Sequence, residues 1–153
     1  MYNPDIQINA QYIKDLSFEN PKILEIAAKP LETPPGCNVD VEINARQAGE
    51  KTFEVTVQMK IETRTGEKAE PLSILEISYA GIFTLPKMTE EEQKEAILVQ
   101  CPTILFPFIR SIVTDITKES GLMPITLAPF DFKSLFDQKQ KKDTEGAKKK
   151  TKH

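Results

Sequence analysis

The sequence predicts an α+β fold: a four-stranded antiparallel sheet with two C-terminal helices packed on one face. Three observations predict it. Four stretches before residue 85 alternate apolar and polar residues with period two. The last three are joined by short turn-forming segments, which favours antiparallel neighbours. After Pro86 the apolar spacing becomes helical, and strands followed by helices in one chain make an α+β arrangement.

The first strand is predicted over 5–18. Ile6, Ile8, Ala10, Tyr12, Leu16 and Phe18 share one parity, with Lys14 as the exception, so one buried face is expected. Asn20-Pro21 ends it. Residues 22–37 read as irregular and close on Thr33-Pro34-Pro35-Gly36-Cys37, a turn or loop. The second strand alternates Val39, Val41, Ile43 and Ala45 with Asp40, Glu42 and Asn44, and Gln47-Ala48-Gly49-Glu50 turns the chain. The third is the cleanest, with Phe53, Val55, Val57, Met59 and Ile61 between Glu54, Thr56, Gln58 and Lys60. Thr65-Gly66-Glu67-Lys68 turns again. The fourth covers 71–84, with Leu75, Ile77 and Tyr79 on one face and Leu72, Ile74, Glu76 and Ser78 on the other.

Residues 88–97 begin a helix, with Thr89 as N-cap and acids in its first turn. Pro102 and Pro107 are expected to interrupt or kink the segment after it. Leu105, Ile109, Ile112, Val113 and Ile116 then recur at helical spacing, and Ser120-Gly121 is a C-cap. Asp131 caps a last helix that carries Phe132, Leu135 and Phe136 on one face. From about residue 139 the chain is polar and Lys-rich and is expected to be disordered. The organisation is therefore one folded domain over 1–138 and a Lys-rich tail over 139–153.

With 153 residues, 39% hydrophobic and 28% charged, the composition is that of one globular domain. Seven Lys stand against Asp137, Asp143 and Glu145 in residues 137–153, a net +4. The total is -3, so residues 1–136 carry -7. An acidic body argues against nucleic acid, which needs a basic face, and suits a basic protein partner. The Lys tail reads as a solvated extension able to make weak, salt-screened contacts. Cys37 and Cys101 form no CxxC, so no zinc site or redox pair is signalled. The first ten residues have neither the basic nor the apolar region of a signal peptide, and no stretch approaches the ~18–20 apolar residues that span a bilayer. A cytosolic protein with free thiols is the expectation.

Catalytic chemistry is disfavoured. The single histidine, His153, is at the end of the tail, which removes a His-based triad. The six glycines are scattered, so no phosphate-cradling loop exists. Glu90-Glu91-Glu92 reads as a solvated helix start, and no carboxylate pair stands in a setting that would raise a pKa. Neither a cofactor nor an enzymatic activity is expected.

Three blocks carry a family resemblance. Residues 12–21, YIKDLSFENP, resemble the N-terminal signature of the SecB protein-export chaperones. Residues 101–110, CPTILFPFIR, resemble that family's CPxxLFPxxR helix start, and 124–136, PITLAPFDFKSLF, its PxxLxPxDFxxLF run. Residues 76–83, EISYAGIF, are similar to its fourth strand. The blocks come in family order over 6–136. The resemblance implies a homotetramer, a dimer of dimers with helices between two outer sheets. Leu105, Ile109, Ile112 and Ile116 would then divide between core and subunit interface. It implies ATP-independent binding of unfolded precursor proteins in apolar grooves, with Val39, Val41, Ile43, Leu135 and Phe136 as groove residues. Delivery to the motor SecA would use Asp15, Glu19, Glu76 and their apolar neighbour Ile74. The segment before the second strand, KPLETPPGCN, lacks the Trp that relatives often carry there. The Lys-rich tail departs from the acidic or neutral tails of the family. A SecB-like chaperone dedicated to one client, such as an antitoxin, would share fold and groove, and only client range would separate it.

Overall fold

In the computed structural model, which describes residues 3–66 and 69–150, four strands form one antiparallel sheet in the order β1-β4-β3-β2. The strands are β1 (Gln7–Glu19), β2 (Gly36–Gln47), β3 (Thr52–Arg64) and β4 (Ser73–Thr84). Hairpins join β2 to β3 and β3 to β4, so β1 must return to the far side of the sheet and pair with β4. The turn read over 65–68 is described only to Gly66, and His153 lies outside the described residues.

Residues in register share a face, so the pairing sorts the side chains. Phe53, Val55, Val57, Met59 and Ile61 on β3, with Leu75, Ile77, Tyr79 and Phe83 on β4, point to one side and are buried. Glu54, Thr56, Gln58, Lys60 and Glu62 point to the other, with Ile74, Glu76, Ser78 and Ala80. One sheet face is thus the core floor and the other stays open, as the alternation predicts.

β1 departs from its predicted parity. Register shifts at Asn9 and Lys14 each insert one residue, and each reverses which face the next side chain takes. Ile8, Ile13, Leu16 and Phe18 lie on the helix side, while Ala10 and Tyr12 lie on the open face. Tyr12 pairs with Ala80, whose small side chain lets the ring cross β4, and its hydroxyl donates to Glu54 on β3. That bond, with burial second, pushes the Tyr12 hydroxyl up to about 12. Between pH 10, the ordinary tyrosine value, and about 12 the unfolded chain loses this proton while the folded chain keeps it. Stability is therefore present below pH 10 and falls as the pH rises through that window. Urea titrations across it are expected to show a steeper loss in the wild type than in Tyr12→Phe. Parallel losses would mean the bond contributes nothing.

The segment expected to be irregular contains a short helix, α1 (Ile23–Ala28). It buries no residue, so no apolar periodicity announces it. Thr89 caps α2 (Glu90–Glu95) in a full capping box with Glu92. The chain then passes through a π-helical turn, Ala96–Gln100, into α3 (Cys101–Lys118) without a break. The Cys101 N–H reaches back to the Ala96 carbonyl, so the wider turn falls immediately before Pro102, where the absent proline N–H interrupts the regular ladder. Pro107 sits inside α3. The prolines therefore end in one continuous run, Glu90–Lys118, which by length and composition alone could cross a membrane, contrary to the sequence expectation. Here it is the core helix. Leu105, Phe106, Ile109 and Val113 are buried against β3 and β4.

Leu105 and Ile109 have no exposed surface within the single chain, where they face the sheet. Helical spacing locates an apolar stripe but does not say which edge of it is covered from within. Ile112 and Ile116 are half-buried at its edge, and Phe108, stacked on Tyr79, is 48% exposed.

Asp131 caps α4 (Phe132–Lys150), accepting the Ser134 N–H at 3.0 Å and hydroxyl at 2.7 Å. These bonds hold its carboxyl below the usual range. Phe132 enters the core against Phe106 and Phe130. Lys133 pins the helix to α2 through Glu95 at 3.1 Å. The Lys-rich segment, expected to be disordered from about 139, continues this helix to Lys150. Lys, Gln, Glu and Ala are good helix formers, and a helix already nucleated and anchored extends cheaply.

Candidate functional site: two apolar clefts and a charged sheet face

The connection 22–37 and the linker after α3 run over the same end of the sheet and enclose the larger cleft, about 850 Å³. Its walls are Ile26, Leu31, Pro34 and Pro35 on one side and Leu122, Met123 and Ile125 on the other. No aromatic side chain lines it, in keeping with the absent Trp, and Glu32 is its single charged residue. The polar groups of the floor satisfy one another. Thr63 and Ser73 hydroxyls are 2.7 Å apart. Thr117 donates to the Val113 carbonyl and accepts from Ile125 N–H, both at 2.8 Å. Ser120 donates to the Thr117 carbonyl at 2.6 Å and accepts from Leu122 N–H at 3.0 Å. Nothing on this floor requires a particular polar partner from an occupant, so affinity there comes from apolar burial and tolerates many sequences.

One end of the cleft is tied shut. Asn20 Nδ2 donates to the Ser120 carbonyl at 2.6 Å, and Ile23 packs on Gly121. Gly121 has φ +81°, which turns the chain sharply after α3. Cys37 lines the same cleft, and burial raises its thiol pKa. Cys101 is buried, pushed up to about 12, and both thiols are free.

A second, smaller pocket of about 130 Å³ lies between α4, α2 and the π turn on one side and β2 on the other. It brings together three sequence-predicted groove residues, Ile43, Leu135 and Phe136, with Leu98. Lys94, Lys139, Gln140 and Asp143 rim it. Val39 and Val41 share the face of Ile43 on β2 but lie outside this pocket. Val39 is 37% exposed and Val41 packs partly on the core. β2 is a sheet edge, which is why these three are less covered than the same-face residues of β3.

The open sheet face gathers all four residues assigned to the motor contact. Glu19 is in register with Ile74, Asp15 with Ser78, and Glu76 with Ser17 and Lys60. Glu54 and Glu62 are engaged there. Glu54 accepts from Tyr12 and then Lys14, which hold its carboxyl below the usual range, and Glu62 is lowered first by Arg64 and then by Lys60. Asp15 and Glu19 form no ion pair among the described residues. No group of acids, His or Cys able to hold a metal occurs among the described residues.

The larger cleft has no counterpart in the sequence pattern. Its residues come from two loops distant in sequence, with no period to join them. The available signal was apolar Leu31, Leu122 and Met123 in segments otherwise rich in Pro, Thr and Gly.

Comparison with known proteins matches residues 1–143 to the family model described as preprotein translocase subunit SecB. The Protein-export protein SecB of Paramagnetospirillum magneticum is 43% identical over 137 residues, 87% of this chain and 84% of that protein. That of Anaplasma phagocytophilum is 35% identical over 158 residues, 95% of this chain and 99% of that protein. Among solved structures, the Mycobacterium tuberculosis Rv1957 SecB-like chaperone, in complex with a ChAD peptide from the Rv1956 HigA1 antitoxin, superposes with a TM-score of 0.60. It is 20% identical, and the match covers 83% of this chain and 91% of that one, a likeness of fold. With the sheet, the helices and the sequence blocks all in agreement, this chain belongs to the SecB family, whose members are chaperones and not enzymes.

Proposed function

We propose that this chain holds unfolded secretory precursors in its apolar clefts, keeps them competent for translocation and delivers them to SecA, using no nucleotide. The observation that carries this reading is the larger cleft, with apolar walls over a floor whose hydroxyls are already bonded. A folded client hides its apolar side chains, so such a cleft selects the unfolded state. Each side chain buried contributes roughly 1.5–3 kcal/mol, much of it offset by ordering the client. One cleft is therefore weak, and several on one particle hold a long client by effective concentration.

The particle is a homotetramer, a dimer of dimers in the cytoplasm. What supports this is family membership and the apolar surface left by a single chain on the helix side: Ile13 at 45% and Phe108 at 48% exposed, with Ile112 and Ile116 half-buried nearby. Residues 1–138 form the chaperone unit, and α4 carries the Lys-rich segment past its end, with Lys139, Gln140 and Asp143 at the rim of the smaller pocket. In the smaller pocket Ile43, Leu135 and Phe136 provide a second client contact, with Val39 and Val41 continuing it along β2. A chaperone dedicated to one antitoxin is not favoured, because the relatives at 31–43% identity carry the export name.

Light scattering of the purified chain, alone and with an unfolded precursor, tests the reading. A particle of four subunits that takes up the precursor and suppresses its aggregation is expected. A monomer that ignores unfolded chains would overturn it. For the docking face, Asp15→Lys with Glu76→Lys is expected to weaken SecA binding at least about tenfold, with tetramer mass and precursor binding unchanged. Unaltered SecA affinity would remove these residues from the contact.

A further inference from the structure

The cations of the open sheet face are not equivalent. Lys14 and Arg46 both reach Glu54, at 2.9 and 3.8 Å. Arg64 is held by Glu62 at 2.6 Å and by the Ala69 carbonyl. Between these two groups lies a shallow depression of about 630 Å³, whose lining includes four acidic residues, Asp15, Asp40, Glu42 and Glu76, and two basic ones, Lys60 and Lys139. Lys60 stands on the middle strand β3, in register with Glu76 of β4 on one side and Asp40 of β2 on the other. Its ammonium lies 3.2 Å from Glu62 and 3.9 Å from Glu76, and its side chain is 45% exposed. No other ion pair reaches Glu76 among the described residues.

We propose that Lys60 is a tethered counter-ion of the docking face: it occupies beside Glu76 the place that a basic side chain of the partner takes on binding, and so holds affinity below what the carboxylates would give alone. The proposal rests on the reading of this face as the SecA contact. The two distances say how the exchange works. Glu62 is the nearer partner and belongs to Lys60's own strand, so Lys60 can yield Glu76 without losing its charge compensation. An incoming ammonium or guanidinium then pairs with Glu76 but remains beside a like charge, which lowers the net gain. Adjacent strands are about 4.8 Å apart, so the partner cation and Lys60 meet well inside the ~8 Å screening length of physiological salt. Docking is thereby tuned toward a reversible contact, which suits a protein that must release its load and return.

Lys139 provides the control. It lines the same depression but makes no ion pair among the described residues, so removing it changes net charge without freeing a carboxylate. The experiment is calorimetric titration of SecA into the full-length chain at two salt concentrations. Lys60→Gln is expected to bind about three- to tenfold tighter than wild type at low salt, with a steeper salt dependence. Lys60→Arg, which keeps the charge, should stay at the wild-type value, and Lys139→Gln should gain less than Lys60→Gln. Particle mass and melting point should be unchanged, since Lys60 is a half-exposed surface residue. Wild-type binding with no gain in Lys60→Gln would overturn the proposal, as would equal gains in Lys60→Gln and Lys139→Gln, which would reduce the effect to net charge. No SecA binding by the wild type would instead overturn the docking reading, and this proposal with it.

Discussion

Replacing Leu31 and Leu122 together with Ser is expected to weaken binding of an unfolded precursor at least about tenfold while leaving the melting point within roughly 3 °C of wild type. Both leucines line the larger cleft, one from the connection before β2 and one from the linker after α3, and both are half-buried. Neither belongs to the buried core, so the fold loses little. The client loses two apolar walls at once. Even if half the roughly 1.5–3 kcal/mol per buried side chain is offset by ordering, the remainder exceeds the ~1.4 kcal/mol that equals a factor of ten. Leu24→Ser is the matched control: Leu24 is 82% exposed on α1 and lies outside the cleft. Binding measured by fluorescence anisotropy with a labelled unfolded precursor decides the matter. Equal affinities for the double variant and the control would mean clients are held elsewhere.

Gly81→Ala is expected to cost about 3 kcal/mol and to lower the melting point by roughly 6–12 °C, with Gly81→Val worse. A Cβ at this position would stand 2.6 Å from Phe83 Cε2, 2.8 Å from Phe83 Cζ and 3.0 Å from Leu105 Cδ2. Phe83 and Leu105 have no exposed surface, so neither has free space to retreat into. The Phe83 ring lies over the glycine of its own strand, and α3 settles on the sheet at that spot. Forcing them apart lifts α3, and with it the linker that forms one wall of the larger cleft. A loss of client affinity is therefore expected alongside the loss of stability. Urea unfolding monitored by circular dichroism gives the cost. A variant as stable as wild type would show that the ring has another place to go.

What the chain determined by sequence alone is considerable. Alternation placed the four strands because one sheet face is buried and the other wet, and period two records that difference directly. Thr89 and Asp131 marked helix starts because caps are local hydrogen bonds. The shared face of Asp15, Glu19, Ile74 and Glu76 follows from their strand register, because both bulges of β1 precede Asp15 and leave the pairing of Asp15–Glu19 with β4 regular.

The tertiary structure decided the rest, and the reasons are specific. The bulge at Asn9 reverses the facing of Ala10 and Tyr12, the bulge at Lys14 restores it for Leu16 and Phe18, and a bulge depends on pairing with β4 rather than on composition. Leu105 and Ile109 look like Ile112 and Ile116 on a helical wheel. The seating of α3 on the sheet makes the first pair core and leaves the second at its margin. The larger cleft joins residues 26–37 to 117–125, segments far apart in sequence and without a shared period. Local patterns record which side of an element is wet. They do not record which distant loop comes to stand opposite it, because that is settled by how the helices seat on the sheet.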